Sequence, residues 1–285
     1  MAGIPKPTSG WLRPMGLAGI YNYDRNKRKE EKEMQAKVMT FNIRYDTLQD
    51  GVNCFEGRKG LVKEFLDREA PDVIGFQEVL PHVRDWLSES LPMYTVLGAG
   101  RNADYTGEGV SVAYRRDRFD LAGFDQFWLS DTPDVPGSRY MLDQSVCPRV
   151  TVLAKLVSRE DGAAFTFVNT HLDHVGEYAK VCGASLLMTK LCSANRGSFV
   201  LTGDFNALPR DNAIREIKSV KGVRDLTASV KEATYHGYGT VRTDCKIDYI
   251  FSNRAAVKDS LVVHKDCRGD IWLSDHYPIS VTVEL

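Results

Sequence analysis

The sequence predicts an α/β protein in which mixed β-sheets pack together with helices on the outside. Three observations carry this. Short β-rich runs outnumber helical ones, many of them follow one another with no crossover helix between, and each half of the chain reads strand–helix–strand followed by further strands. The same pattern disfavours a doubly wound parallel sheet, which needs a helix between successive strands.

Residues 1–36 stand apart from the rest. MAGIPKPTSGWLRPMGLAGIYNY is rich in Gly and Pro and lacks the continuous apolar stretch of a signal peptide, and DRNKRKEEKEMQ is a mixed-charge run suited to a frayed helix or a solvated linker. The expectation is an N-terminal extension over 1–36 and a domain over 37–285. The domain opens with AKVMTFNI, a β-rich run that closes on Asn42. In RKGLVKEFLDRE, apolar residues at 61, 62, 65 and 66 have the one-face spacing of an amphipathic helix, and Ala70-Pro71 stops it. DVIGFQEV reads as a buried strand, and a helix is expected from about His82 to Ser90. YTVLG, GVSVAYRR, GFDQFWLS and VTVLAKLVS read as strands. AFTFVNTHL is a strand, GEYAKVCGASLLMTKLCSA a long helix, and SFVLTGDFN a strand ending in a turn. After a loop-rich stretch come the strands KIDYIFS, SLVVHK and PISVTVEL.

Composition narrows the functional classes. The 285 residues carry a formal net charge of −1, so no large positive field draws polyanions to the surface. The six cysteines form no CxxC pair, which argues against a structural zinc site and for a reduced, cytoplasmic setting. No apolar run is long enough to span a membrane, and a monomer is expected.

The informative pattern is where polar residues fall. Asn42 ends the first strand and Glu78 lies in the apolar run IGFQEVL. NTHLDH supplies His171, Asp173 and His174, and LTGDFN supplies Asp204 and Asn206. Asp248 sits in KIDYIF, and Asp275 and His276 in LSDHYP. Each alone has a plain structural reading: GDFN as a turn, Glu78 in an ion pair, Asp173 as a helix cap. Together they put buried carboxylates, amides and histidines at successive strand ends, where a carboxylate is costly unless paired or metal-bound. Oxygen donors suit Mg²⁺, with Mn²⁺ as a substitute, and no thiolate set is present for a softer metal. The two histidines of HLDH, three apart on a strand or turn, make a weaker case for zinc than HExxH on a helix. GxSxG and GxxxxGK[ST] are both missing from the sequence, so the chemistry these residues suit is metal-assisted hydrolysis.

The motifs TFNIRYD, IGFQEV, NTHLDH, LTGDFNALP, KIDYIF and SDHYPI, in that order over 37–285, resemble the endonuclease/exonuclease/phosphatase superfamily. NIRYDT, DGVN, RK and FWLSDTP are closer to a mostly bacterial branch than to the nucleases, deadenylases, sphingomyelinases and inositol phosphatases of that superfamily. The resemblance implies a four-layer αββα sandwich with two mixed sheets face to face, and metal-dependent attack of water on a phosphate ester. It makes Glu78 the principal metal ligand, Asn42 a neighbour that helps hold the metal, and Asp275 a carboxylate at the metal edge. Asp204 is expected to orient or deprotonate water, and Asn206 to hydrogen-bond the phosphate or that water. His276 is expected on the phosphate with Asp248 behind it, and His171 on the phosphate as donor to the leaving oxygen. Arg149, Asp173 and His174 are substrate-contact candidates. Where some relatives carry an acid two residues after the first-motif asparagine, this chain has Arg44, so one metal is expected rather than two. The leading expectation is a Mg²⁺-dependent phosphodiesterase acting on nucleic acid or nucleotides. The alternative is a phosphatase or phosphodiesterase for small or lipid-linked phosphate esters, and a non-catalytic scaffold is remote. Loops 99–109 and 231–244 are expected to decide the substrate.

Overall fold

The computed structural model describes residues 34–194, 197–241 and 245–285. Residues 1–33 of the expected extension lie outside these. Met34 and Ala36, expected in the extension, are buried in the core, and the first strand opens at Gln35.

The chain runs β1 Gln35–Asn42, α1 Phe55–Glu69, β2 Val73–Val79, α2 Pro81–Ser90, β3 Tyr94–Leu97, β4 Gly109–Arg115, β5 Phe119–Trp128, β6 Val150–Ser158 and β7 Ala164–His171. It continues through α3 Glu177–Ala194, β8 Ser198–Asp204, α4 Asn212–Ser219, β9 Arg224–Asp225, β10 Asp248–Ser252, β11 Val262–Val263, β12 Cys267–Arg268, β13 Ile271–Trp272 and β14 Ile279–Glu284. Two six-stranded sheets form, ordered β11-β14-β1-β2-β4-β3 and β5-β6-β7-β8-β10-β9. Both are mixed: β1 pairs parallel with β2 and β7 parallel with β8, while the other pairings within them are antiparallel.

Three apolar clusters account for the layers. Val38, Val73, Val112 and Val281 of the first sheet pack with Val152, Phe167, Val200 and Ile250 of the second, forming the seam between sheets. Phe65 and Leu66 of α1 and Val83 and Leu87 of α2 cover the other face of the first sheet through Met39, Phe41 and Phe76. Leu187 and Leu191 of α3 and Ile214 and Ile217 of α4 cover the second through Val168, Leu201 and Phe251. The expected sandwich of helix, sheet, sheet and helix is therefore present. The loop-rich reading missed α4, whose apolar positions 213, 214 and 217 lie within only two turns.

A polar brace crosses the seam. Asn169 on β7 donates from Nδ2 to the carbonyls of Phe76 (2.7 Å) and Ser111 (3.0 Å) in the opposite sheet, and accepts from Gln77 Nε2 (2.7 Å) and Thr202 Oγ1 (3.1 Å). The sheets come so close here that a Cβ on Gly75 would meet Asn169 Oδ1 at 2.6 Å. Just beyond, the β2–β4 register slips between Phe76 and Val79, a bulge that carries Glu78.

A second brace comes from α1, which starts three residues before the apolar spacing suggested. Phe55 N–H donates to Asp46 Oδ1 (3.0 Å), and the Phe55 ring packs edge-on to Trp86 at 5.1 Å. Arg58, which a helical pattern would place in solvent, is fully buried. Its guanidinium donates to the carbonyls of Asn53 (2.6 Å), Ile43 (2.9 Å), Leu273 (2.6 Å) and Arg44 (3.3 Å). It thereby ties the end of β1 to the turn that carries Asp275 and His276. Arg58→Met is expected to leave these carbonyls without their donor and cost about 3 kcal/mol or more, lowering Tm by roughly 6–12 °C. Calorimetric unfolding checks this, and an unchanged Tm would mean the brace contributes nothing.

Candidate active site

The polar strand ends meet on one edge of the sandwich, around a cavity of about 800 Å³. Register places them. Asp204 at the end of β8 lies opposite His171 on β7 and Asp248 on β10, so three functional side chains sit side by side in the second sheet. The first sheet supplies Asn42 and Glu78 from the parallel pair β1 and β2. The turn before β14 supplies Asp275 and His276.

Three residues here hold left-handed backbone: Arg44 (φ 61°), Glu78 (φ 62°) and Asn206 (φ 45°). Such conformations cost about 1–3 kcal/mol each in a non-glycine residue and persist only where surrounding contacts fix them. Those contacts are visible. Arg44 N–H donates to Asn42 Oδ1 (3.0 Å), Tyr45 N–H to Glu78 Oε2 (2.8 Å), and Asn206 N–H to Asp204 Oδ1 (2.9 Å).

Because Arg44 N–H can only donate, Asn42 must face it with its oxygen. Its Nδ2 then donates to Glu78 Oε1 (3.0 Å) and Asp204 Oδ2 (3.0 Å). Asn42 was expected among the metal ligands; here its amide turns its donor side to Glu78 and Asp204 and so positions their carboxylates.

Ligand atoms of Glu78, Asp204 and His276 lie within 4.8 Å of one another. Asp275 lines the same cavity but leans toward Arg44 Nε (3.6 Å). Burial and the neighbouring Asp248 carboxylate push Asp204 up to about 7. Burial and Glu78 also raise Asp275, although His276 and Arg44 oppose this. Acids that resist ionisation while crowded together mark a place for a cation, and an oxygen-rich donor set fits a hard divalent ion.

His276 Nδ1 donates to Asp248 Oδ2 (2.9 Å). Burial disfavours charge on this ring, but Asp248, Asp204 and Asp275 outweigh it and hold the imidazole well above its ordinary value. His171 is the opposite case. Burial, Arg149 and Arg101 hold it well below its ordinary value. Asn206 Nδ2 must donate to the Leu172 carbonyl (3.1 Å), and it also points at His171 Nε2 (3.0 Å). The same Nε2 lies 3.5 Å from Asp204 Oδ2, so the His171 ring, expected to donate to a leaving oxygen, stands between an amide donor and a carboxylate.

Arg149 and His174 reach the cavity, with Arg149 Nη2 donating to His174 Nδ1 (2.7 Å). Asp173 does not line it. Its carboxylate accepts from the amides of Ser145 (3.0 Å), Val175 (3.1 Å) and Gly176 (2.8 Å) and from Ser145 Oγ (2.5 Å). Although burial opposes ionisation, those bonds hold Asp173 down at about 2. The substrate-contact expectation for Asp173 is corrected to loop fixation beside α3.

The cavity also includes Tyr45 of the first motif, which sequence reasoning assigned no role, and residues with no motif to announce them: Leu80, Cys147, Tyr235, Cys245 and the paired Arg101 and Glu108. Arg44 fills the position of the missing acid and bonds Asp50 through Nε (2.9 Å) and Nη2 (3.1 Å). The two loops singled out as substrate-determining provide Arg101, Glu108 and Tyr235. Thr234 anchors the second of these loops by accepting from the amides of Ile247 (3.0 Å) and Asp248 (3.1 Å).

Crowded carboxylates, aimed amides and a charged histidine on one edge of a two-sheet sandwich define a phosphoesterase architecture. The chain belongs to the Endonuclease/Exonuclease/phosphatase family, whose sequence profile matches residues 39–276. Family members are metal-dependent phosphoesterases. The fold is similar to that of the endonuclease/exonuclease/phosphatase from Bacteroides vulgatus, with 32% identity, 89% of this chain and 100% of that chain covered, and a TM-score of 0.83. It is also similar to a mannosyl-6-phosphatase of Bacteroides thetaiotaomicron, with 26% identity, 88% and 100% covered, and a TM-score of 0.77. An uncharacterised protein of Acanthamoeba polyphaga mimivirus is 26% identical over 273 residues, which is 87% of this chain and 100% of that protein. Among the described residues, no helix is long and apolar enough to cross a membrane.

Two outcomes follow from the electrostatics. In chelator, Asp204→Asn removes a buried charge that the fold disfavours, and Tm is expected to rise by about 2–4 °C at pH 8. The folded carboxyl titrates above its unfolded value of 3.8, so the wild type regains that stability as pH falls through about 7. The gap between the two proteins should therefore close toward pH 4, and a pH-independent gap would contradict it. Separately, Glu78→Gln is expected to weaken Mn²⁺ binding about tenfold or more by calorimetric titration. Wild-type affinity would remove Glu78 from the ligands.

Proposed function

We propose that this protein is a divalent-metal-dependent phosphatase of a small phosphorylated molecule. The observation that carries the reading is the cavity's size and walls. About 800 Å³ suits a small ligand, and Arg101, Glu108, Arg149 and His174 line it together with Asp204 and His276. Glu108 pairs with Arg101 and stands 3.9 Å from Arg149, so the wall offers donors and an acceptor together. Such a surface suits the hydroxyls of a polyol, and its carboxylate opposes a second run of phosphates. The similarity to a mannosyl-6-phosphatase supports the same class of substrate. This favours the small-ester alternative over the leading expectation of a nucleic-acid phosphodiesterase.

The ion would be held by Glu78, with Asp204 and Asp275 beside it. When bound, it supplies positive charge to the phosphate oxygens and offsets the crowded carboxylates. The protein's own groups do the remaining work. Asp204, which burial holds up at about 7, takes the proton from the attacking water, and as the P–O bond breaks the departing oxygen takes up a proton from solvent to leave as the alcohol. His276, kept charged by Asp248, donates to a phosphate oxygen as negative charge gathers there. Asn206 Nδ2 can exchange its contact with neutral His171 for another phosphate oxygen. Arg44, which burial disfavours but Asp50 and Asp275 keep charged, adds fixed positive charge at the Asp275 side.

The test is a substrate panel with Mg²⁺ or Mn²⁺. Hexose 6-phosphates and mannosyl-6-phosphate would be compared with single-stranded DNA, RNA and bis(p-nitrophenyl) phosphate. Phosphate release from the small monoesters, abolished by chelator, is expected. His276→Ala is expected to lower kcat by about 10³-fold with metal affinity retained. Cleavage of DNA or RNA with no turnover of the monoesters would overturn the reading in favour of a nuclease.

A further inference from the structure

A second depression, of about 460 Å³, adjoins the catalytic cavity. Leu208 lines both, and Lys246 lines this one while the next residue, Ile247, lines the other. Its walls carry four cationic side chains, Arg210, Lys218, Lys231 and Lys246, against one carboxylate, Asp225. In a chain whose net charge is −1, this is a local reversal of sign.

The lone carboxylate is already engaged. Asp225 Oδ1 accepts from Thr227 N–H (2.9 Å) and Oγ1 (2.6 Å), and Oδ2 faces Lys246 Nζ at 3.4 Å. Lys246 is buried, donates to the Thr227 carbonyl (2.9 Å) and lies 4.4 Å from the centre of the Tyr249 ring. Among the described residues, Lys231 reaches the Ala228 carbonyl (3.0 Å) and no carboxylate. Arg210 and Lys218 are exposed, and among the described residues no carboxylate pairs with either. Burial lowers the Lys246 amine below its ordinary value against the opposing pull of Asp225, and the nearby charges of Lys218 and Lys231 add smaller contributions in the same direction as burial. Converging cations around a concavity, with their one acid spent, are stabilised by an incoming anion of high charge.

We propose that this depression is a phosphate-binding subsite, separate from the catalytic cavity and beside it. Its four cations match a phosphate dianion better than a single carboxylate. Its position next to the cavity gives two sources for that group: a second phosphate on the same substrate molecule, or a free phosphate ion. Assignment to the substrate rests on the reading of the catalytic cavity as a small-ester phosphatase, and the subsite itself does not.

The variant Arg210→Ser/Lys218→Ser/Lys231→Ser alters only exposed side chains, and circular dichroism would confirm its fold. Inorganic phosphate titrated through the millimolar range into metal-free protein, followed by amide NMR, should shift signals from residues 210, 218, 231 and 246 in the wild type. Those shifts should vanish in the triple variant. No shifts there in the wild type, or identical shifts in both proteins, would overturn the subsite. Kinetics then separate the sources. A KM raised about tenfold for a hexose bisphosphate, with KM for the monophosphate unchanged, assigns the group to the substrate. Loss of the NMR shifts with both KM values unchanged assigns it to free phosphate. An equal rise for both esters would mean diffuse attraction and overturn a bound second phosphate. If no phosphate ester is turned over, the catalytic reading fails while the titration still decides the subsite.

Discussion

The structure depends on a concentration of negative charge that it has to contain. Glu78, Asp204, Asp248 and Asp275 come from different strand ends in two sheets and meet at one edge. Burying them together is unfavourable, as the upward shifts of Asp204 and Asp275 record. The surroundings answer with donors in fixed positions: Asn42 Nδ2, the amides of Tyr45 and Asn206, the His276 ring and the Arg44 guanidinium. Left-handed backbone at Arg44, Glu78 and Asn206 is part of the same arrangement, since it turns those residues toward the cluster. The braces that hold this geometry lie behind it. Asn169 bridges the sheets at the Phe76–Val79 bulge, and Arg58 clamps β1 to the turn before β14.

The floor and the walls of the cavity are built differently. The floor is made of strand ends, so its side chains inherit the precision of the sheets. The walls come from the 99–109 loop, the stretch around Cys147–Arg149 and the 231–241 loop, which can vary without disturbing the layers. The sheets therefore fix the floor, and the loops alone shape the walls. The Arg101–Glu108 pair, with Arg149 and His174, gives the wall its mixed donor and acceptor character.

The sequence was most legible where period and position coincide. Asp204, Asp248 and His276 could be picked out because a polar residue at the end of an apolar strand or in the turn leading into one has few other reasons to be there, and the structure brings all three together. The layers were legible for the same reason, since two-residue and one-face helical spacings imply which surfaces must be covered. Strand order was not, because it depends on pairings between distant segments. Arg58 was invisible because a charged residue on an amphipathic helix normally faces water, and only the carbonyls it meets from other segments explain its burial. Which end of Asn42 faces the carboxylates was equally hidden, since it is decided by one amide N–H two residues on. Asp173 shares its motif with His171 and was grouped with it, but the loop at Ser145, far off in sequence, claims its oxygens. Arg101 and Glu108 sit in a loop with no periodicity, where a single sequence gives no reason to choose them.

The central claim is that the carboxylate cluster is incomplete without one divalent cation. A crystal structure grown with Mn²⁺ and measured at the manganese absorption edge tests it directly. The account predicts a single anomalous peak bonded to Glu78, with Asp204 and Asp275 beside it and Asn42 still turning its nitrogen toward the carboxylates. No peak in the cavity, or one coordinated by Asn42 and not by Glu78, would contradict it.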